Sequence, residues 1–98
     1  MDNRLIEKIQ NYKIDRINKL IPLVYSLKNA NKREIGLIAQ EVQKVEPLLV
    51  STGSNGILVI DYEQLTVVLL SYIQQMDDRL TAIENNLKQE KAKKNAKL

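Results

Sequence analysis

The sequence predicts an α+β fold, mainly helical. A small β-hairpin/sheet head precedes a long C-terminal helix that forms a parallel trimeric coiled coil. Three observations lead there. From Asp61 onward the apolar residues keep a seven-residue repeat, with Thr66, Ile73, Leu80 and Leu87 at a and Leu69, Met76 and Ile83 at d. Left-handed coiled coils bury such a seam, and Leu at a followed by Ile at d (Leu80, Ile83) tilts the choice toward three or four strands. Leu23, Tyr25 and Leu27 alternate with Val24, Ser26 and Lys28, the period of a half-buried strand. Pro22, Pro47, Gly53 and Gly56 then punctuate the first part of the chain into short elements. The 98 residues are expected to form a single domain. Its parts are a head (1–60), a coiled-coil helix (61–94) and a basic tail (95–98).

Residues 2–21 read as mainly helical. Ile14, Ile17 and Ile21 lie at helical spacing, Leu5 and Ile9 form an earlier stripe, and Asn11 marks a break. Pro22 stops the pattern. Asn29 to Arg33 is a polar turn, and Ile35 to Ile38 supply the partner strand of a hairpin. Ala39 to Glu46 reads as a short helix with Val42 and Val45 on one side. Ser51 through Gly56 is a turn-rich loop, and Ile57 to Ile60 is a third short strand. Asp61 then caps the long helix, with Gln64 three residues on completing a capping-box pattern.

Composition narrows the function. A chain this small with about a third of its residues in one extended helix has little left to surround a core. Self-association solves that: each Leu, Ile or Met buried in the seam contributes roughly 1.5–3 kcal/mol, against a helix poorly populated alone in water. There is no Cys and no His, which excludes disulfides, Ser-His-Asp catalysis and most transition-metal sites. No metal and no cofactor are expected. The N-terminus mixes charges among its apolar residues, unlike a signal peptide. No apolar run approaches membrane-spanning length, so a soluble chain without a membrane partner is expected. In residues 88–98 five lysines face Glu90, a charge of +4 that leaves −1 on the rest of a chain whose total is +3. Lysines at a helix C-terminus complement the macrodipole, so no nucleic-acid partner is expected.

Other candidate motifs reduce to ordinary structure. The loop Ser51–Gly56 lacks the Gly-Lys-Ser/Thr ending of a phosphate-binding loop, and Asn55-Gly56 is turn chemistry. Glu41 and Glu46, or Asp77 and Asp78, do not converge on one point. Ser26, Ser51, Ser54 and Ser71 have no base beside them in sequence.

The block Ile35-Gly36-Leu37-Ile38-Ala39-Gln40-Glu41-Val42 reads by itself as a strand entering a helix, with Gly36 permitting close approach. Followed by Pro47, Val50 and then Val59-Ile60-Asp61-Tyr62, it resembles the C-terminal intramolecular chaperone domain of phage endosialidases, tailspikes, tail fibres and neck appendages. The same self-cleaving serine peptidase module also occurs in a membrane-bound family of animal transcription factors. The resemblance runs along nearly the whole chain.

The resemblance implies a homotrimer that holds three upstream fibre or tailspike segments of the same polypeptide in register, in the host cytoplasm during virion assembly. It further implies release by self-cleavage before a Ser that opens a Ser-Asp-x-Arg-x-Lys pattern, with the Lys as base. Asp2, Arg4 and Leu5 fit that start, whereas Met1 holds the Ser position and Ile6 the Lys position. Neither side chain can do that chemistry, so the chain as it stands is expected to be inactive. Two accounts stay open. Met1 replaces the native Ser as a start residue in the released product, or the natural protein is a cleavage-deficient, permanent trimerisation module of a structural protein. Lys8 is the nearest amine, at a different spacing. Gln40 and Glu41 either cap or pair locally, or contact a neighbouring chain or the cleavage segment.

Overall fold

The N-terminal segment departs from its helical pattern. In the computed structural model, which describes residues 1–96, residues 2–21 hold only two single 3₁₀ turns, Asn3–Leu5 and Ile17–Lys19. Short stretches rich in β-branched residues make marginal helices, and here two isoleucines find better use. Ile14 and Ile17 are buried as anchors in the core, while Leu5, Ile9 and Ile21 remain exposed. The expected helices on either side of Asn11 therefore do not form.

Strand β1 (Leu23–Ser26) pairs antiparallel with β2 (Arg33–Gly36), in the register Leu23↔Gly36 and Val24↔Ile35. The partner strand lies two residues earlier than the apolar run suggested, because Leu37 and Ile38 turn away to enter helix α1 (Ala39–Val45). Asn29 makes the connection possible with φ 63°, a left-handed conformation that asparagine tolerates. A 3₁₀ turn at Pro47–Leu49 follows α1. The chain then makes a second hairpin, β3 (Val50–Thr52) with β4 (Leu58–Ile60). Strand β3 falls where a loop was expected, since Ser51 and Thr52 are polar and exposed yet pair with Val59 and Leu58. The true turn is shorter: Gly53 N–H donates to the Ile57 carbonyl, the Asn55 side chain accepts from Ile57 N–H, and Gly56 takes φ 81°.

Helix α2 spans Tyr62–Ala96. Asp61 caps it by accepting from Gln64 N–H at 3.0 Å. The reciprocal half of the capping box is replaced, because Asp61 N–H donates to the Leu49 carbonyl at 2.8 Å and so ties the helix start to the head. The helix runs past residue 94, and residues 97–98 of the expected basic tail lie outside the described residues.

The core is small. Val42 (0 % exposed) and Leu49 (1 %) sit at its centre with Ile14, Ile17, Leu65 and Val68 around them. Only the first turns of α2 contribute, through the Leu65–Val68–Tyr72 side. From Met76 to Asn95 every residue is exposed, so the helix projects about 30 Å beyond its last support. The chain measures 70 × 41 × 21 Å with a radius of gyration of 20.4 Å, against about 13 Å for a compact domain of this length. The architecture is α+β, with two small antiparallel sheets and one long helix.

Candidate functional site

Three places carry the residues singled out from the sequence. The first is the N-terminal turn. Asp2 Oδ1 accepts from Arg4 N–H at 3.0 Å, and the Arg4 guanidinium reaches Asp2 Oδ2 at 2.7 Å. Backbone bonds from Leu5 N–H to the Asp2 carbonyl and from Ile6 N–H to the Asn3 carbonyl close the turn. Arg4 holds the Asp2 carboxyl below its usual range by these hydrogen bonds, and Asp2 in return raises the guanidinium. Met1 and Ile6 thus flank one 3₁₀ turn, and Met1 and Leu5 stand almost fully in solvent. A thioether cannot attack a carbonyl and an isoleucine cannot take a proton. The turn holds Asp2 and Arg4 against each other, with Met1 before it and Ile6 after it.

The second place joins the two halves of the sequence signature. At Gly36 an added Cβ would meet the hydroxyls of Tyr25 and Tyr62, each at 2.9 Å. Leu37 N–H donates to Tyr62 Oη at 3.2 Å. The Gly36-Leu37 step and the Asp61-Tyr62 step therefore touch, with the strand end, the α1 entry and the α2 start meeting over one glycine. Of the block's polar members, Glu41 pairs with Lys44 at 3.3 Å on the surface, and Gln40 is exposed. Ile35 and Ile38 are exposed, Leu37 and Ala39 are half-buried, and Val42 is the core residue.

The third place is the heptad face of α2. Leu69, Ile73, Met76, Leu80, Ile83 and Leu87 are all exposed along one side of the helix, as is Thr66. Thr66 satisfies its hydroxyl by donating to the Tyr62 carbonyl at 3.1 Å, so it adds no unpaired polar atom to that face. Among the described residues none folds back over Leu80, Ile83 or Leu87, which stay 54 %, 55 % and 56 % exposed.

A fourth set of contacts gave no signal in the sequence. Tyr12 Oη donates to Glu46 Oε2 at 2.7 Å, and the Tyr12 carbonyl accepts from Ser71 Oγ at 3.0 Å. Gln75 in turn donates to Ser71 Oγ. Glu46 also caps the turn after α1 by accepting from Leu48 N–H at 3.0 Å. Burial, and then the Glu46 carboxylate, push the Tyr12 hydroxyl up to about 12. Tyr12 straps the largely irregular N-terminal segment to α2 and to the head at once. A lone tyrosine in a polar stretch has no periodic partner, so only the folded chain reveals it.

No curated protein and no solved structure matches the chain. A family model described as chaperone of endosialidase matches residues 2–51. That range takes in the Asp2–Arg4 turn, both strands over Gly36 and the buried Val42–Leu49 centre. It ends before Asp61-Tyr62 and the heptad face, so the match is narrower than the resemblance read from the sequence. Reaching over just more than half of the 98 residues, it establishes that the chain belongs to the chaperone of endosialidase family.

Proposed function

We propose that this chaperone works by gathering three copies of itself in parallel, which aligns an upstream fibre, tailspike or appendage segment of the same polypeptide for folding. The observation that carries this reading is the heptad face of α2, uncovered over the whole length that projects from the head. Helices in proteins owe most of their stability to the packing of an apolar face, and burying Leu80, Ile83 and Leu87 against identical helices supplies that packing. Two features favour the parallel arrangement. The seam begins in an almost continuous apolar run, 65–70, and ends among lysines, so an antiparallel neighbour would set leucines against charge. In a parallel coil a g residue faces the e residue of the following heptad on its neighbour. That places Arg79 opposite Glu84 of a second copy, and among the described residues neither forms an ion pair within its own chain. The Leu80–Ile83 pair favours three strands over two.

The benefit to the upstream segment is kinetic. Intertwined β-structure nucleates slowly, because distant pairings cost loop-closure entropy before any contact forms. Tethering three chains at one end raises their effective concentration and aligns them. A cleavage afterwards would leave the fibre without a return path.

Sedimentation equilibrium of the whole chain should give three times the monomer mass. A monomer at high micromolar concentration would refute the assembly. Release is tested separately, with Met1→Ser and Ile6→Lys together behind the native upstream residues. Splitting before residue 1 supports a self-cleaving ancestor whose reacting pair has been replaced. An intact chain with those residues would favour the alternative, a permanent trimerisation module.

A further inference from the structure

A groove of about 320 Å³ opens between the head and α2, with Ile17, Leu20, Ile35 and Leu37 on one wall and Leu65 and Leu69 on the other. That is roughly twice the ~150 Å³ apolar cavity that admits a benzene. Its helical wall belongs to the seam: Leu69 is a d residue and Leu65 the g residue beside it. Ile35 stands 81 % exposed at the rim, with its cross-strand partner Val24 also exposed. The hairpin therefore turns an apolar pair outward next to the assembly face.

The e positions of α2 supply the complement. They are Glu63, Leu70, Asp77, Glu84 and Lys91. Charge is the norm there, and Leu70 alone is apolar. It is exposed, on the side of α2 away from its own head. In the parallel register a g residue meets the next heptad's e residue on the neighbouring helix, so Leu65 meets Leu70 of a second copy by the same rule that pairs Arg79 with Glu84.

We propose that Leu70 of a second copy docks in this groove, so that each head clamps the next helix around the assembly. The proposal rests on the parallel assembly described under the preceding heading and adds a register lock to it. A neighbour slipped by one heptad would bring Glu63 or Asp77 to the groove, and burying an unpaired carboxylate among leucines is heavily unfavourable. An in-register seam alone tolerates slippage more readily, since its heptads look alike. The lock would pass register to whatever precedes residue 1.

The chain has no cysteine, which makes disulfide trapping clean. The full chain carrying Ile35→Cys and Leu70→Cys should, on oxidation, yield a covalent three-chain species that reverts on reduction, while either single variant yields none. Leu80→Cys alone serves as the seam control, because a residues of neighbouring helices meet. Cross-linking of the control without cross-linking of the pair overturns the docking and leaves the assembly standing. A monomeric chain in which neither cross-links overturns both. Independently, Leu70→Lys places an ordinary e residue on a half-exposed site. A bare coiled coil accepts it, so unchanged association would refute the groove, and association weakened at least tenfold supports it.

Discussion

Gly36 is the residue on which the head turns. Its missing Cβ lets two tyrosine hydroxyls approach, and one of them holds the Leu37 amide. Gly36→Ala should cost about 1–3 kcal/mol, the usual range for forcing a side chain into a filled site. Tyr62→Phe alone should cost about 1 kcal/mol for the lost hydrogen bond. Because Gly36→Ala also displaces Tyr62, the two losses should sum to less than their separate values. Urea unfolding at one fixed chain concentration measures this, and strict additivity would show that the tyrosine does not sit over the glycine. Tyr12 offers a pH test. Its hydroxyl rises in the folded chain from 10.0 to about 12, so folding favours the protonated form. The contribution is complete below pH 10 and is lost as pH climbs toward 12. Ultraviolet titration should show one tyrosine ionising well above the ordinary range, and Tyr12→Phe should remove that step.

At the scale of the element, α2 is two helices in one. Its first turns bury Leu65, Val68 and Tyr72 against the head, and the remainder offers only the heptad face. A charge in the seam should therefore act differently from one elsewhere on the projecting part. Ile83→Asp should weaken association by about 3 kcal/mol or more per chain. It should also melt the helix beyond Gln75 while leaving the head folded. Circular dichroism at a series of concentrations checks it, and undiminished helicity would mean that the seam is not buried between copies. Arg79→Glu and Glu84→Arg should each weaken association by about 0.5 kcal/mol in low salt, and the double swap should restore it. High salt should erase these differences.

At the scale of the whole molecule the core is small for a chain that measures 70 × 41 × 21 Å. Two fully buried side chains and four more around them stabilise a head whose hairpins present much of their apolar surface outward. Removing residues 76–98 should yield a monomer that unfolds at a lower temperature than the full chain. Light scattering with a thermal melt would show it. A truncated chain that remained trimeric would place the main association energy in the heads instead of the seam.

The long helix with its heptad stripe, the first hairpin, α1 and the Asp61 cap were legible in the sequence, because each is a pattern among near neighbours: a period, an alternation, a punctuating proline or a capping carboxylate. The resemblance carried by Gly36 to Val42 was legible for the same reason. The N-terminal stripe misled because Ile14 and Ile17 are spaced for a helix yet serve as core anchors on a segment whose only regular structure there is the 3₁₀ turn Ile17–Lys19. Strand β3 was hidden because its polar residues are recognised only by the partner strand. The contacts that organise the site join residues 25, 34 and 59 positions apart, namely Leu37 with Tyr62, Tyr12 with Glu46, and Tyr12 with Ser71. Such pairs leave no local period, and the groove beside Leu65 exists only once the head has packed on α2. The sequence by itself determined which faces are apolar. Tertiary structure decided which of those faces the chain covers for itself and which stay exposed, because covering a face depends on where distant residues come to rest.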